Sequence, residues 1–289
     1  MSPQTAATWS ERTMTTWSFL LMPVHTPRTG VSRMPLFTSL SICAGTVRVD
    51  FRGDAVQTLI NDPAVAEPDH PLRAAYSDKP FGYYGHARTE IAPLLPARAG
   101  RVLEVGCGRG ATLAWLTHTG RCTHTTGIEL FAQAADAARA VVDRVEAGDA
   151  EKLLGVVAQE GKFDAVLCLD VLEHLHDPWA FVRRIPPLLN PGGVLIVSVP
   201  NVRHWRVSAD LLFRGRWRYA DAGVLDRTHL RFFTREGARE LVAEPRLKLI
   251  ACEASRPPRW SVGGLANLAT LGLLKDLFAV QFLLAAHKA

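Results

Sequence analysis

From Arg101 onward short apolar runs alternate with amphipathic stretches, and this alternation predicts the architecture. RVLEVG (101–106) is a β-branched run closed by glycine and predicts a strand, with a helix over 111–116. THTTGIEL (123–130) predicts a second strand, the Ala-rich stretch 131–142 a helix, and DRVEAGD (143–149) a third strand. FDAVLCLD (163–170) is nearly continuous in apolar residues, as a strand buried on both faces of a parallel sheet should be. A helix over 178–189 and a fifth strand, GGVLIVSVP (192–200), follow. RLKLIACE (246–253) and FAVQFLLAA (278–286) read as a sixth and a seventh strand. Strands alternating with helices imply an α/β fold, a mostly parallel sheet with helices on both faces.

The flanks are less regular. A helix is expected over 81–95, and residues 46–80 carry Pro63, Pro68, Pro71 and Pro80 without sustained periodicity. Residues 46–95 are therefore expected to be a helical lead-in to a domain over 96–289. Residues 1–45 are rich in Ser and Thr, with Arg12, Arg28 and Arg33 against Glu11. They are expected to be a disordered extension or the product of a mis-assigned start, with Met34 as an alternative start. Phe19–Val24 is too short for a signal-peptide core. The stretch 265–286 is long enough to span a bilayer, but Lys275 and Asp276 sit in its middle, so no transmembrane segment is expected.

Composition narrows the class. A chain of 289 residues with 48% hydrophobic and 21% charged residues suits a soluble globular domain, expected in the cytoplasm. The five cysteines (43, 107, 122, 168, 252) form no CxxC pair, which argues against a zinc knuckle or a disulfide framework. The net charge of +5 is only a mild pull toward anionic partners.

The glycine-rich turn carries the first chemistry. Gly106, Gly108 and Gly110 follow a strand and precede a helix, so a ligand can approach the main chain closely. Gly106, Gly108 and Ala111 also satisfy the dinucleotide pattern GxGxxG/A. Glu104, inside the strand, suits a cationic ligand better than a pyrophosphate. Glu129 ends the second strand and can accept hydrogen bonds from ribose hydroxyls. Asp149 can accept from an adenine amino group or cap the helix that follows it.

VLEVGCGRG, GIEL, GDAEKL, FDAVLCLDVLEHLHDP and LLNPGGVLIVSVPN, in this order, resemble the class I S-adenosylmethionine-dependent methyltransferases, and most of all their ubiquinone-biosynthesis-type group. FRGRWRYADAGVLDRTHLRFFT resembles a subset associated with bacterial cell-surface glycan biosynthesis. The resemblance runs from about Phe81 to the C-terminus. It implies a Rossmann-like seven-stranded sheet with the last strand antiparallel and S-adenosylmethionine as cofactor. It implies cofactor contacts at Glu104, Gly106, Cys107, Gly108, Glu129, Leu130, Asp149, Ala150, Leu169 and Asp170, and at Arg88 in YYGHARTE.

Methyl transfer to a hydroxyl gains from a base that takes the hydroxyl proton. His174 is the first candidate, with Glu173 beside it; both can instead brace the next helix. Asp226 and His229 form a second candidate pair, three residues apart and so on one face if helical. Asp170, Glu173, His174, His176 and Asp177 lack a standard zinc spacing, and no metal is expected. The stretch 201–235 holds eight arginines against three aspartates and six interleaved aromatics, and reads as an acceptor-recognition insertion. The expected acceptor is a sugar, sugar nucleotide or lipid-linked glycan, and the alternative is a quinone or other small aromatic hydroxyl. RNA methylation or nucleic-acid binding is the reading from another class. Lysine is absent from the stretch, and no stable nucleic-acid partner is expected. Peripheral membrane contact stays open.

Overall fold

A computed structural model describes residues 40–43, 46–49, 85–255 and 260–289. The chain divides into two units, residues 1–67 and 68–289. In the first, β1 (Leu40–Cys43) pairs antiparallel with β2 (Thr46–Val49). These two short strands fall within segments expected to be an N-terminal extension and a helical lead-in. Thr46, Val47 and Val49 are β-branched, which favours extended backbone. The rest of residues 1–84 lies outside the described residues.

The second unit carries one seven-stranded sheet in the order β5-β4-β3-β6-β7-β9-β8. Its strands are β3 (Ala99–Val105), β4 (Cys122–Glu129), β5 (Arg144–Ala147), β6 (Phe163–Leu169), β7 (Leu189–Pro200), β8 (Leu247–Ala254) and β9 (Gln281–Lys288). β5, β4, β3, β6 and β7 are parallel, and β9 lies antiparallel between β7 and β8. The fold is thus Rossmann-like, with its last strand antiparallel. The helices are α1 (Ala111–His118), α2 (Ala132–Ala138), α3 (Ala150–Val157), α4 (Pro178–Arg183), α5 (Trp205–Arg214), α6 (Arg235–Leu241), α7 (Val262–Ala269) and α8 (Lys275–Phe278). Two apolar layers flank the sheet, one around Leu103, Val166, Leu195 and Phe282, the other around Val102, Ala165, Ile196 and Ala285. Successive residues of one strand face opposite layers, which is why β6 reads as continuously apolar.

Proline accounts for two shortened helices. The helix expected over 81–95 is a 3-10 helix, Thr89–Leu94, within the residues described. Pro93 has no N–H for the carbonyl of Thr89, so an α-helical bond there is lost. The helix expected over 178–189 stops at Arg183; Pro186 opens a 3-10 turn, and β7 already begins at Leu189. Near the C-terminus α8 takes up Phe278, so the last strand starts at Gln281. Among the described residues no helix is long and apolar enough to cross a membrane.

Candidate functional site

The carboxyl ends of β3, β4, β5 and β6 open onto a cavity of about 470 Å³. In an open parallel sheet the loops after the strands gather at this edge, so residues distant in sequence share one site. Every residue expected to hold the cofactor lines it: Arg88, Glu104, Gly106, Cys107, Gly108, Glu129, Leu130, Asp149, Ala150, Leu169 and Asp170.

The turn after β3 is shaped by glycine. Gly106 has φ +70, and a Cβ there would lie 3.1 Å from Cγ2 of Val171. Gly110 has φ +76, and a Cβ there would lie 2.5 Å from Cγ2 of Val142. Side chains at these positions would meet both backbone strain and a packed neighbour. The N–H groups of Gly106 and Cys107 both donate to the carbonyl of Ile128, at 2.8 and 3.1 Å, which docks the turn on β4.

Glu104, Glu129 and Asp149 line this cavity with different partners. Glu104 is 3% exposed, and its Oε2 has no hydrogen-bond partner. Burial pushes its carboxyl up to about 8, with a hydrogen bond to Thr112 and the charge of Arg88 opposing. Glu129 accepts from the N–H of Gly108 at 2.8 Å through Oε2 and from that of Phe131 at 2.9 Å through Oε1. Burial raises its pKa, and these N–H groups act against the rise. Asp149 caps α3, its Oδ1 accepting from the N–H of Glu151 at 2.8 Å. The cap weighed from sequence is therefore present, and the residue also lines the cavity.

Asp170 is the hub of the far wall. Its φ of +55 is unusual for a residue with a side chain. The hydroxyl of Ser198 donates to its Oδ1 at 2.7 Å, and Gln281 donates to the same oxygen at 3.2 Å. Arg88 forms an ion pair with Asp170 and also donates to Glu90 at 2.6 Å and Gln281 at 2.9 Å. Sequence reasoning missed Ser198 and Gln281. Ser198 lies within LLNPGGVLIVSVPN but was given no role there, and Gln281 belongs to no local motif and arrives from the first position of β9.

A second cavity of about 120 Å³ adjoins the first, with Asp170, His174 and Gln281 lining both. Its other lining residues include Glu173, Asp226 and His229. The structure thus unites both candidate catalytic pairs. The helical reading of Asp226 and His229 is corrected, since neither lies in a helix. Asp226 instead folds its own turn, accepting from the N–H and hydroxyl of Thr228 at 3.0 and 2.8 Å.

This turn is pinned to the 3-10 turn that holds Glu173 and His174. The N–H groups of Leu230 and Arg231 donate to the carbonyl of Glu173 at 2.8 and 3.0 Å. Nδ1 of His174 lies 3.0 Å from the carbonyl of Thr228, and Nδ1 of His229 lies 3.0 Å from that of Val224. A carbonyl only accepts, so each Nδ1 carries hydrogen and each neutral ring has its lone pair on Nε2. The rings meet edge to face at 4.8 Å. Burial, then the neighbouring His229, lowers His174 to about 4. Glu173 is fully buried, neither carboxyl oxygen has a hydrogen-bond partner, and burial raises its pKa well above the carboxylate range.

Donor atoms of Glu173, His174 and His229 lie within 4.8 Å of one another, a spacing a cation would fit. This is not the set weighed from sequence: Asp177 caps α4 through Ala180, and His176 lines neither cavity. Nor do any of the eight arginines of 201–235 line either cavity. The insertion contributes Gly223, Val224, Asp226 and His229 instead, so the expectation of arginines reading an acceptor at this site is not met.

A family profile described as a methyltransferase domain matches residues 78–250, more than half of the chain. The chain belongs to the class I S-adenosylmethionine-dependent methyltransferases. S-adenosylmethionine is the methyl donor of that family. The chain is 38% identical over 133 residues to a ubiquinone biosynthesis O-methyltransferase of Xanthomonas axonopodis pv. citri, covering 43% of this chain and 53% of the relative. It is 38% identical over 119 residues to a protein of the same name from Xylella fastidiosa, covering 38% and 46%. The chain thus spans about half the length of the curated relatives it matches. Among solved structures, a methyltransferase of Haloferax volcanii in complex with the Trm112 activator aligns with a TM-score of 0.50 at 17% identity, over 74% of this chain and 94% of that one. That likeness concerns the fold.

Proposed function

We propose that this methyltransferase methylates a hydroxyl oxygen of a small aromatic acceptor seated in the second cavity. The observation that carries this reading is the junction of the two cavities at Asp170, His174 and Gln281. Donor and acceptor can meet there, with an imidazole beside them.

The donor's fit rests on Glu104. Glu104 lines the first cavity, and its buried carboxyl suits an ammonium group, which would favour the charged form. Glu129 retains acceptor lone pairs for ribose hydroxyls, and Asp149 has Oδ2 for an adenine amino group. The glycine turn allows close approach of the main chain. The bound donor supplies a methyl group already activated by its sulfonium.

The protein's remaining work is to position the acceptor, exclude water and receive a proton. A neutral hydroxyl whose oxygen attacks the methyl carbon would become a protonated ether as the carbon–sulfur bond breaks, and a protonated ether is a far stronger acid than an imidazolium. Even with its pKa lowered to about 4, His174 can take that proton as the carbon–oxygen bond forms, and the neutral ring is the form present near pH 7.

Two observations favour an aromatic hydroxyl over a sugar phosphate. The matched relatives are named ubiquinone biosynthesis O-methyltransferases. The second cavity holds carboxyl and imidazole groups and no arginine, a poor setting for a phosphate. The glycan reading keeps one support, the arginine and aromatic residues of 201–235. The test is a panel of prenylated dihydroxyphenols, sugar nucleotides and RNA incubated with S-adenosylmethionine, read by mass spectrometry for methyl gain. Methylated phenol is expected. Methylation only of sugars or RNA would overturn the aromatic assignment, and no cofactor binding by calorimetry would overturn the enzyme reading.

A further inference from the structure

Three residues line both cavities: Asp170, His174 and Gln281. The first two belong to the motif FDAVLCLDVLEHLHDP, whereas Gln281 stands outside every motif read from the chain. It opens β9, and the antiparallel register sets it opposite Pro200, at the carboxyl end of β7. Main-chain bonds fix its place there. The N–H of Gln281 donates to Oγ of Ser255 at 3.1 Å, and its carbonyl accepts from the N–H of Ser255 at 2.9 Å. The carbonyl of the preceding Val280 accepts from the N–H of Asn201 at 2.8 Å. The side chain of Gln281 takes no part in this anchoring.

That side chain bridges two opposite charges. Its Oε1 accepts from Nη2 of Arg88 at 2.9 Å, and its Nε2 donates to both carboxyl oxygens of Asp170, at 3.2 and 3.3 Å. A guanidinium only donates and a carboxylate only accepts, so the bridge needs one accepting end and one donating end. An amide supplies both. A carboxylate in its place would lack the donor, and an ammonium would lack the acceptor. Arg88 is the only arginine or lysine among the described residues that line the first cavity. Ser198 also touches both charged groups, donating to Asp170 at 2.7 Å and accepting from Arg88 at 3.3 Å, but it is fully buried and lines neither cavity. Gln281 is thus the bridging residue that also faces both ligands.

We propose that Gln281 is a positioning residue for methyl transfer, its amide holding the Arg88 guanidinium at the donor cavity and the Asp170 carboxylate at the junction in one arrangement. Without the amide the ion pair of Arg88 with Asp170 remains, but each group loses the partner that sets its direction. Hydrogen bonds are directional, whereas a charge pair constrains mainly distance. Donor affinity therefore depends on Gln281 through Arg88. At the junction a misdirected Asp170 shifts the wall shared by donor and acceptor, which slows transfer even when the donor is saturating. The effect on turnover rests on the site proposed above, whereas the effect on donor affinity needs no acceptor.

The test is a double-mutant cycle on the full chain, read by calorimetry of S-adenosylmethionine binding. Gln281→Met keeps the length of the side chain and removes both polar ends. It should weaken binding by about tenfold, near the lower end of what a hydrogen bond to a charged group contributes. In an Arg88→Met background the same change should weaken binding by less than about twofold, because the partner is already gone. Thermal unfolding of Gln281→Met should shift by less than about 3 °C, since the main-chain anchors stay. Should that variant fail to fold, Gln281→Glu serves in its place. It can accept from Arg88 but sets a carboxylate against Asp170, and it should also weaken binding. Unchanged binding in the variant that folds, or an equal loss with and without Arg88, would overturn the proposal. Turnover is read with whichever acceptor of the panel above is methylated. At saturating S-adenosylmethionine, kcat of Gln281→Met should fall by about tenfold or more, and a normal kcat would overturn its placement at the junction. Methylation of sugars or RNA in place of phenols would overturn the acceptor assignment alone and leave the binding cycle standing.

Discussion

Oε1 of Glu173 lies 3.9 Å from Nε2 of His229, and both side chains are closed off from solvent. An acid from the loop after β6 thus meets an imidazole from the insertion after β7. Burial raises the Glu173 carboxyl well above the carboxylate range, beside a ring whose Nδ1 is committed to Val224. Glu173→Gln copies the protonated acid in shape, and should keep stability within about 1 kcal/mol and most of the turnover. Glu173→Ala should cost about 2–3 kcal/mol in denaturant unfolding, because it opens space among fully buried groups. A folded but inactive glutamine variant would show that the carboxylate form is needed.

His174→Ala should lower kcat by about 10²–10⁴-fold while cofactor affinity changes far less. With the histidine lowered to about 4, the acid limb of kcat should fall near that value, below the ordinary histidine range. Exhaustive chelation should leave turnover intact. Near-full turnover of the alanine variant would move the proton acceptor to His229 or Asp226. Turnover lost on chelation and restored by a divalent cation would instead assign Glu173, His174 and His229 to a metal.

Glu104 makes cofactor binding pH-dependent. In the free protein its carboxyl is raised to about 8, so near pH 7 it is mostly protonated. A cationic ligand favours the carboxylate, so binding releases a proton, and affinity should rise with pH up to about 8. Calorimetry in buffers of different ionisation enthalpy measures that proton directly. Affinity that is flat with pH would remove Glu104 from the ammonium site. Without ligand the sign reverses for folding. The folded state holds this proton where the unfolded chain has lost it, so the contribution to stability is full below the ordinary glutamate value and is lost as pH rises toward about 8.

Gly106→Val should abolish cofactor binding. The position has φ +70, and a Cβ there presses on Val171 at 3.1 Å in the wall of the first cavity. Strain of this kind costs about 1–3 kcal/mol, so lower thermal stability should accompany the loss. Wild-type affinity in this variant would show that the turn does not contact the donor.

The lining of the first cavity was legible in the chain because each of its parts is local. VLEVGCGRG, GIEL and GDAEKL each end a parallel strand, and parallel topology brings all those ends to one edge. Glu104, Gly106, Glu129 and Asp149 could therefore be placed together without coordinates. The alternation that predicted the sheet is likewise a one-dimensional property, and it failed where proline removed hydrogen bonds, at Pro93 and Pro186. Tertiary structure decided what depends on segments far apart. Gln281 reaches Asp170 only because β9 runs antiparallel beside β7, a pairing no local pattern encodes. His174 and His229 meet only because two loops exchange backbone hydrogen bonds. The raised pKa of Glu173 and the lowered pKa of His174 follow from burial, which belongs to the packed molecule and not to either residue. The arginines of 201–235 drew the reading toward the acceptor by their number, but none lines either cavity, and Arg214, Arg227 and Arg235 pair with Asp210, Asp221 and Asp276 instead.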